Sequence, residues 1–437
     1  MKLYFIIRPI ITLAFKIYFK KIYHWGTEHI PHGKPILFSS NHPTGFFEPC
    51  LLACLTQDVE YNFMTRGDLF AKPLYKRIFD SLNMIPIFRF KDGYANLKNN
   101  VASMEYVYKA LADKKSILIF TEGGTETVKR LRPLQKGMAR MAFGSYEVYG
   151  DLDVQIVPVC MSYSDPHRFR SEVMVQFGKP IPLSNYYETY LHNNNKAVNQ
   201  MTADIEKAMR PLLVEVKNPD NDQTAESLFT LYRNSFPEPV FPIAVKSNRR
   251  LLAHQEIAGN INNSTDNELD TINKNTHMYF EKLEKKGIND FAIAQPWHAS
   301  FSNFLVLVIG FIPFLVGRYG HYLPFWYAGK IKNERVKYLE FEGPVMAAVG
   351  VGGVIVQYLV LIIAALIINH WLMYIFVFVL PFLGYYAITY WDLWKKYYLC
   401  RQIKSLNTDG TSRNSREEVV ALRTERESIM GMVFRKK

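Results

Sequence analysis

Short apolar runs alternate with amphipathic stretches between residues 34 and 183, and long apolar runs appear only in the last third of the chain. Short apolar runs bounded by turn residues predict buried strands, and apolar positions three or four residues apart predict helices. The alternation of the two patterns predicts an α/β domain over residues 34–183. The predicted strands are Ile36–Ser40, Tyr61–Thr65, Met84–Phe88, Ile117–Phe120, Val154–Tyr163 and Val173–Phe177, and the predicted helices are Leu97–Asp113 and Lys136–Val148.

The segments on either side of this domain have different patterns. Residues 1–33 are apolar but interrupted by Arg8-Pro9 and Lys16, a pattern that favours an amphipathic helix lying in a membrane interface. Residues 184–296 are polar and punctuated by prolines, which predicts a mostly helical linker region. Residues 401–437 form a tail with nine basic and five acidic residues.

Residues 297–400 predict a membrane region. The run 345–368 carries no charge and is long enough to span a bilayer, and 371–391 is a second such run. Only Asn369-His370 separates them, which predicts a tight transmembrane hairpin. The earlier segment 304–327 is interrupted by Pro313 and predicts a re-entrant element. Because basic residues flank the hairpin, the positive-inside rule predicts a multi-pass protein whose tail and α/β domain face the cytoplasm.

Composition narrows the choice of partners. The formal charge of +12 calls for an anionic counterpart. Because no nucleic-acid motif accompanies the membrane segments, we expect anionic lipid headgroups or phosphorylated substrates rather than nucleic acid. The 4 cysteines are too few and too scattered for a disulfide framework, and no cluster of metal ligands accompanies them.

The segment from Asn41 to Pro49 places a histidine and a carboxylate in one predicted strand-to-helix turn. It follows the strand that ends at Ser40, and Pro49 suits the first turn of a helix. Glu48 would then lie at a helix N-terminus, where the dipole favours a carboxylate. A carboxylate within reach of His42 could make the imidazole a general base for a hydroxyl group. A capping turn with an incidental histidine is the alternative at this stage.

Three further segments follow strands or form them. Met84–Phe88 delivers Arg89 at its end, where an arginine suits a phosphate. Ile117–Phe120 precedes Thr121-Glu122-Gly123-Gly124-Thr125, in which two glycines allow backbone N–H groups close to an oxyanion. Glu122 could hold a neighbouring arginine or a substrate hydroxyl, and Lys136 stands out in the basic run that follows. Val157-Pro158-Val159 predicts an edge or bulged strand.

These four segments, in this order and spacing, resemble the four blocks of the membrane glycerolipid acyltransferases, the PlsC-type superfamily. The resemblance covers roughly residues 20–182 and implies a mixed sheet flanked by helices. It also implies that His42 is the catalytic base and Glu48 its partner. In the same way it implies a site for the acceptor phosphate, formed by Arg89, Glu122, Gly123, Gly124, Thr125 and Lys136.

The chain departs from the family pattern at three points. The family usually has an aspartate at a shorter spacing, whereas here five residues separate His42 from a glutamate. Thr121 stands where proline is usual. The arginine common after Gly-Thr is absent, and Lys129 or Arg130 are the residues that could replace its charge.

The resulting hypothesis is a membrane-bound O-acyltransferase of phospholipid biosynthesis. It would move a fatty acyl group from acyl-CoA or acyl carrier protein to glycerol 3-phosphate or 1-acylglycerol 3-phosphate, with no cofactor and no metal. A non-catalytic lipid-binding scaffold and a thioester or lipid hydrolase are the alternatives.

Overall fold

The computed structural model describes residues 3–88, 100–408 and 413–434. The chain divides into two units: the first holds Met1–Glu215, Ile243–Leu252 and Lys337–Pro344, and the second holds Val216–Pro242, Ala253–Val336 and Val345–Lys437.

The first unit is built on a nine-stranded mixed sheet in the order β4-β3-β5-β2-β6-β7-β1-β9, with the short β8 paired to β6. All neighbouring strands run parallel except β6 with β7 and β6 with β8, which are antiparallel. This arrangement agrees with the predicted mixed sheet flanked by helices. The strands are β1 Lys21–Trp25, β2 Ile36–Ser40, β3 Tyr61–Arg66, β4 Met84–Ile87, β5 Ser116–Phe120, β6 Gln155–Tyr163, β7 Glu172–Phe177, β8 Ile181–Pro182 and β9 Ala244–Lys246.

Helices cover the sheet and bury its apolar side chains. The strand β2 is buried along its whole length, as its continuous apolar run predicts. Residues 184–215 of the predicted linker region lie in this unit, where Met201, Ile205 and Met209 join its core. The helices that begin in this unit are α1 Leu3–Tyr18, α2 Phe47–Leu55, α3 Pro73–Ser81, α4 Asn100–Ala112, α5 Gly137–Tyr149, α6 Tyr187–His192, α7 Asn194–Met209 and α9 Arg249–Asn263, together with the first residues of α15 Leu339–Ile368.

Two expectations about strands need correction. Residues 21–25 form β1 between β7 and β9, and so belong to the sheet although they fall in the predicted interface segment. Pro158 does not mark an edge strand, because β6 pairs with β2 on one side and with β7 and β8 on the other. Its missing N–H falls between the residues paired to β8 and those paired to β7, where no ladder bond is lost.

The described part of the second unit consists of helices. Two described helices are long and apolar enough to cross a membrane: Leu339–Ile368, which lies in the second unit from Val345 onward, and Trp371–Ile403. The helices Phe301–Ile309 and Phe311–Gly320 pass the same test together but are bent by 54° at their junction. The break falls at Gly310 rather than at Pro313, because a proline in the first turn of a helix has no hydrogen bond to lose. The remaining helices are α8 Asp222–Ser235, α10 Asp266–Lys285, α11 Asp290–Ala294, α12 Phe301–Ile309, α13 Phe311–Gly320, α14 Tyr322–Arg335, α16 Trp371–Thr408 and α17 Arg413–Val433.

A buried ionic cluster lies among the helices of the second unit. Asp290 accepts hydrogen bonds from Tyr279 at 2.6 Å and from Arg426 at 2.8 Å. The same guanidinium donates to the Leu231 carbonyl at 2.7 Å, so α17 is joined to both α8 and α11. The Tyr279 phenol stays protonated, because burial and then the charge of Asp290 raise its pKa.

Candidate active site

The strands β2 and β5 are parallel neighbours, so the loops that follow them meet at one edge of the sheet. His42 lies just after β2, and Glu48 lies in the first turn of α2, as the sequence predicts. The His42 Nδ1 atom is 2.9 Å from Glu48 Oε2. The Glu48 side chain is fully buried, whereas 14% of the His42 side chain is exposed. The two side chains that the sequence places in one turn are therefore in hydrogen-bond contact.

Glu48 is an acceptor in four hydrogen bonds. Its Oε2 atom receives the His42 bond, and Oε1 receives the Thr44 amide at 3.2 Å, the Thr44 hydroxyl at 2.8 Å and the Tyr163 hydroxyl at 2.9 Å. These bonds hold both carboxylate oxygens in place in the first turn of α2. Burial, followed by the charge of Glu48, raises the pKa of Tyr163 well above its usual value, so the phenol remains a donor.

The His42 ring is held on a second side by an aromatic contact. It stacks on Phe120, the last residue of β5, with ring centroids 3.8 Å apart and ring planes 11° apart. Among the described residues, Glu48 is the one hydrogen-bond partner of the His42 ring. Because Nδ1–H donates to the carboxylate, Nε2 carries the free lone pair and can accept a proton from a hydroxyl group.

Glu122 supports the backbone of His42 from the loop after β5. Its Oε2 atom accepts from the His42 amide at 3.0 Å and from Arg132 Nη2 at 2.9 Å, and Oε1 accepts from the Arg132 amide at 3.0 Å. The Arg132 guanidinium also donates to the Gly124 carbonyl. Of the two roles considered for Glu122, holding a neighbouring arginine is the one that its contacts support.

The loops after β2 and β5 are joined by two further bonds. The Glu126 amide donates to the His42 carbonyl at 3.2 Å, and Thr127 Oγ1 donates to the Pro43 carbonyl at 2.7 Å. Residues 42–48 are here called the catalytic turn, because they hold the candidate base, and residues 121–127 are called the Glu-Gly-Gly loop. The bonds fix the turn to this loop at both the amide and the carbonyl of His42.

The other predicted site residues have different settings. Gly123 has a φ of +71° and is exposed, and Gly124 and Thr125 are half-buried in the same loop. Lys136 is exposed at the N-terminus of α5. Arg89 lies outside the described residues.

Three contacts of this site were not predicted from the sequence. Tyr163 reaches Glu48 from β6, 115 positions along the chain. The Arg132 guanidinium lies against the Gly124 carbonyl, and its place in a basic run did not distinguish it from its neighbours. Phe120 was identified only as the end of a strand.

Comparisons with known proteins show what this chain is similar to. Residues 21–162 match a protein-family model described as Acyltransferase. The chain therefore carries an acyltransferase domain over these residues.

Two curated relatives are glycerol-3-phosphate O-acyltransferases 1 and 2 of Saccharomyces cerevisiae, with 30% identity over 193 residues and 26% identity over 203 residues. The matches cover 43% and 46% of this chain, but only 25% and 27% of those relatives. A crystal structure of the 1-acyl-sn-glycerophosphate acyltransferase PlsC from Thermotoga maritima gives a TM-score of 0.34 at 15% identity, over 46% of this chain and 77% of that one.

Proposed function

We propose that this protein is a membrane-bound O-acyltransferase that acylates glycerol 3-phosphate or 1-acylglycerol 3-phosphate in phospholipid biosynthesis. The observation that carries the proposal is the His42–Glu48 pair at the carboxyl edge of the sheet, with His42 Nε2 available to a hydroxyl group. The acyltransferase domain match and the two glycerol-3-phosphate acyltransferase relatives support this choice of reaction and acceptor.

In the proposed mechanism, His42 Nε2 takes the proton of the acceptor hydroxyl as that oxygen attacks the carbonyl carbon of an acyl thioester. The new C–O bond forms and the C–S bond breaks, and the imidazolium returns its proton to the leaving thiolate. Glu48 stabilises the imidazolium and fixes the orientation of its ring. The reaction needs no acyl-enzyme, no cofactor and no metal ion.

The loop after β5 is the proposed site for the acceptor phosphate. Gly123 and Gly124 leave its backbone accessible, and the Arg132 guanidinium contacts the Gly124 carbonyl. Glu122 orients this arginine and holds His42 at the same time, so it serves both halves of the site. Arg89, Thr125 and Lys136 complete the proposed set.

The two long apolar helices support a membrane location for the proposed enzyme. A long-chain acyl donor, whether acyl-CoA or acyl carrier protein, and a lipid product both need access to a bilayer. The exposed apolar side chains of α1, among them Phe5, Ile10 and Leu13, fit a helix that lies in the interface.

The basic segments around the hairpin place its termini in the cytoplasm in this proposal. A cysteine introduced at Arg318 should then react with a membrane-impermeant maleimide only from the cytoplasmic side. Labelling from the opposite side would refute this orientation.

The two alternatives are less well supported. A non-catalytic scaffold has no need for a buried glutamate that accepts four hydrogen bonds and orients one histidine. A thioester or lipid hydrolase would use the His42–Glu48 pair with water, and the sequence has no recognisable nucleophile elbow.

The test is acyl transfer by the full-length protein in detergent with palmitoyl-CoA and a panel of acceptors. The panel holds glycerol 3-phosphate, 1-acylglycerol 3-phosphate, dihydroxyacetone phosphate and a lysolipid without phosphate. His42→Ala should abolish transfer, whereas His32→Ala removes an imidazole that is 80% exposed and should leave it unchanged.

Each outcome points to one of the hypotheses. Transfer to one phosphorylated acceptor, lost only in His42→Ala, supports the proposal. Thioester cleavage without an acylated product would favour the hydrolase. If neither palmitoyl-CoA nor palmitoyl-acyl carrier protein is used, the scaffold is favoured.

A further inference from the structure

A segment far along the sequence packs against the catalytic turn. Residues 337–344, here called the strap, belong to the first unit together with His42 and Glu48. The strap includes the first turns of α15, and the charge-free run begins one residue after it. The Gly45 amide, in the middle of the catalytic turn, donates to the Glu340 carbonyl at 2.9 Å.

The side chain of Phe341 occupies the space next to Gly45. A Cβ atom added to Gly45 would lie 2.5 Å from Phe341 Cδ1 and 2.6 Å from Cε1, which is too close for any real contact. The absence of a side chain at position 45 therefore lets the aromatic ring lie directly against the backbone of the turn.

A second glycine seats the strap on the sheet unit. A Cβ atom on Gly343 would lie 2.1 Å from the Pro166 carbonyl oxygen and 2.8 Å from the Tyr18 hydroxyl. Gly343 and Pro344 are both buried. The strap is thus held on both sides of Phe341, by a hydrogen bond at Glu340 and by close packing at Gly343.

We propose that two residues of the strap, Glu340 and Phe341, belong to the active site, and that Phe341 is a positioning residue which holds the catalytic turn in its productive geometry. This inference rests on the proposed acyl transfer, in which His42 must meet the acceptor hydroxyl. The Glu-Gly-Gly loop fixes the turn at His42 and Pro43, and Thr44 binds Glu48. The strap fixes Gly45, the residue with the greatest backbone freedom in the turn.

In sequence, the strap comes immediately before the part of the chain predicted to enter the bilayer. Because the strap continues directly into the apolar run, the catalytic turn is held by residues that precede a membrane segment in sequence. The acyltransferase domain match ends at residue 162, so the proposed active site includes a segment outside the matched region.

The experiment uses four full-length variants in detergent: Phe341→Ala, Gly45→Ala, the double variant and Tyr338→Ala. Tyr338 lies in the same strap and its side chain is 70% exposed, so its removal is the matched control. Initial rates are measured with palmitoyl-CoA and with the acceptor that the wild type uses, and thermal unfolding is recorded for each variant.

A displacement of the turn by about 1 Å should lower kcat by up to about 100-fold. We therefore expect both single variants to lose kcat by at least tenfold, with KM values within about twofold of wild type. The double variant should be more active than Gly45→Ala, because the added methyl group then has room. Tyr338→Ala should keep wild-type kinetics.

The inference is overturned if folded Phe341→Ala keeps the wild-type kcat, or if the double variant is no better than Gly45→Ala. Should Gly45→Ala fail to fold, Phe341→Leu replaces it in the comparison. Retention of more than half of kcat by Phe341→Leu beside a loss in Phe341→Ala supports the inference, and equal rates overturn it. A wild type without acyl transfer, or an active His42→Ala, would instead refute the proposed function.

Discussion

Shortening the catalytic carboxylate by one carbon tests whether the length of Glu48 matters. The Glu48→Asp change retracts the carboxylate by about 1.5 Å, the length of one C–C bond. The present 2.9 Å contact with His42 Nδ1 would then open to about 4.4 Å, beyond hydrogen-bond range. Aspartate is the residue that the family usually carries, so Glu48→Asp would be judged conservative from the residue type alone.

The expected loss follows from the contacts. Misplacing a catalytic group by about 1 Å costs about 100-fold in rate, and losing control of the histidine tautomer costs up to about 10⁴-fold in serine proteases. We therefore expect kcat to fall by about 10²–10³-fold in Glu48→Asp, with little change in KM. Glu48→Gln keeps the length but offers one acceptor oxygen instead of two, and should lose at least as much.

The assay is steady-state acyl transfer with thermal unfolding recorded in parallel. Glu188→Asp, at an exposed glutamate of α6, is the matched control and should behave as wild type. Glu48→Asp with more than a third of the wild-type kcat would refute the argument, because it would show that the hydrogen bond to His42 is not required.

Four other sites yield predictions that use the same protein. Tyr163→Phe removes one donor from the catalytic carboxylate, so kcat should fall by about tenfold, since a hydrogen bond to a charged group contributes about 1.5–3 kcal/mol. A lysine at position 132 cannot bond to both the Glu122 carboxylate and the Gly124 carbonyl, so Arg132→Lys should lower the rate of acyl transfer by about tenfold. The control Arg140→Lys, at an exposed site, should have no effect. Arg426→Met leaves a buried carboxylate without its cation and should lower the free energy of unfolding of the second unit by about 3–5 kcal/mol, measured by thermal unfolding in detergent. Burial, and then the charge of a nearby lysine, lowers the pKa of His24, so the unfolded chain takes up its proton first as the pH falls. The protonation of His24 therefore has no effect on stability well above about pH 6.5 and destabilises the fold as the pH falls below it, so His24→Gln should flatten the fall in melting temperature between pH 7.5 and 5.5.

Each of these predictions has a result that contradicts it. Wild-type kcat in Tyr163→Phe would mean that the remaining donors hold the carboxylate unaided. Equal loss of activity in Arg132→Lys and Arg140→Lys would show that the loss does not depend on the contacts of Arg132. An unchanged melting transition in Arg426→Met would mean that the ionic cluster does not stabilise its unit, and an unchanged pH slope in His24→Gln would assign that slope to other groups.

Local patterns were sufficient to predict the strands that lead to the site. The strand Ile36–Ser40 has the predicted bounds, because a buried central strand appears as one continuous apolar run. β1 was not predicted, since Lys21 and His24 make its sequence amphipathic, and the strand forms because β7 and β9 lie on either side. β9 has only 3 residues, which is too short to produce a periodic signal.

The residues of the candidate site likewise fall into those that local patterns predicted and those that they did not. His42 and Glu48 were predicted because their chemistry lies within one turn of the chain. Tyr163 and Phe341 were not, because each is far from the turn in sequence and reaches it only in the folded chain, and Arg132 was not distinguished within its basic run. No periodicity or spacing in the sequence relates these residues to His42.

The departure from the family spacing has a physical account in the catalytic turn. The fold accommodates five residues between His42 and Glu48, and the glutamate side chain reaches His42 Nδ1 at 2.9 Å. A longer loop is also freer to move, and this one is restrained at the points that the extra length would loosen. Thr44 binds the Glu48 carboxylate and accepts from the Phe47 amide at 3.2 Å, while Gly45 is bonded to the strap. Because these restraints act on the backbone between the base and its partner, the longer spacing and the strap are best understood as one arrangement.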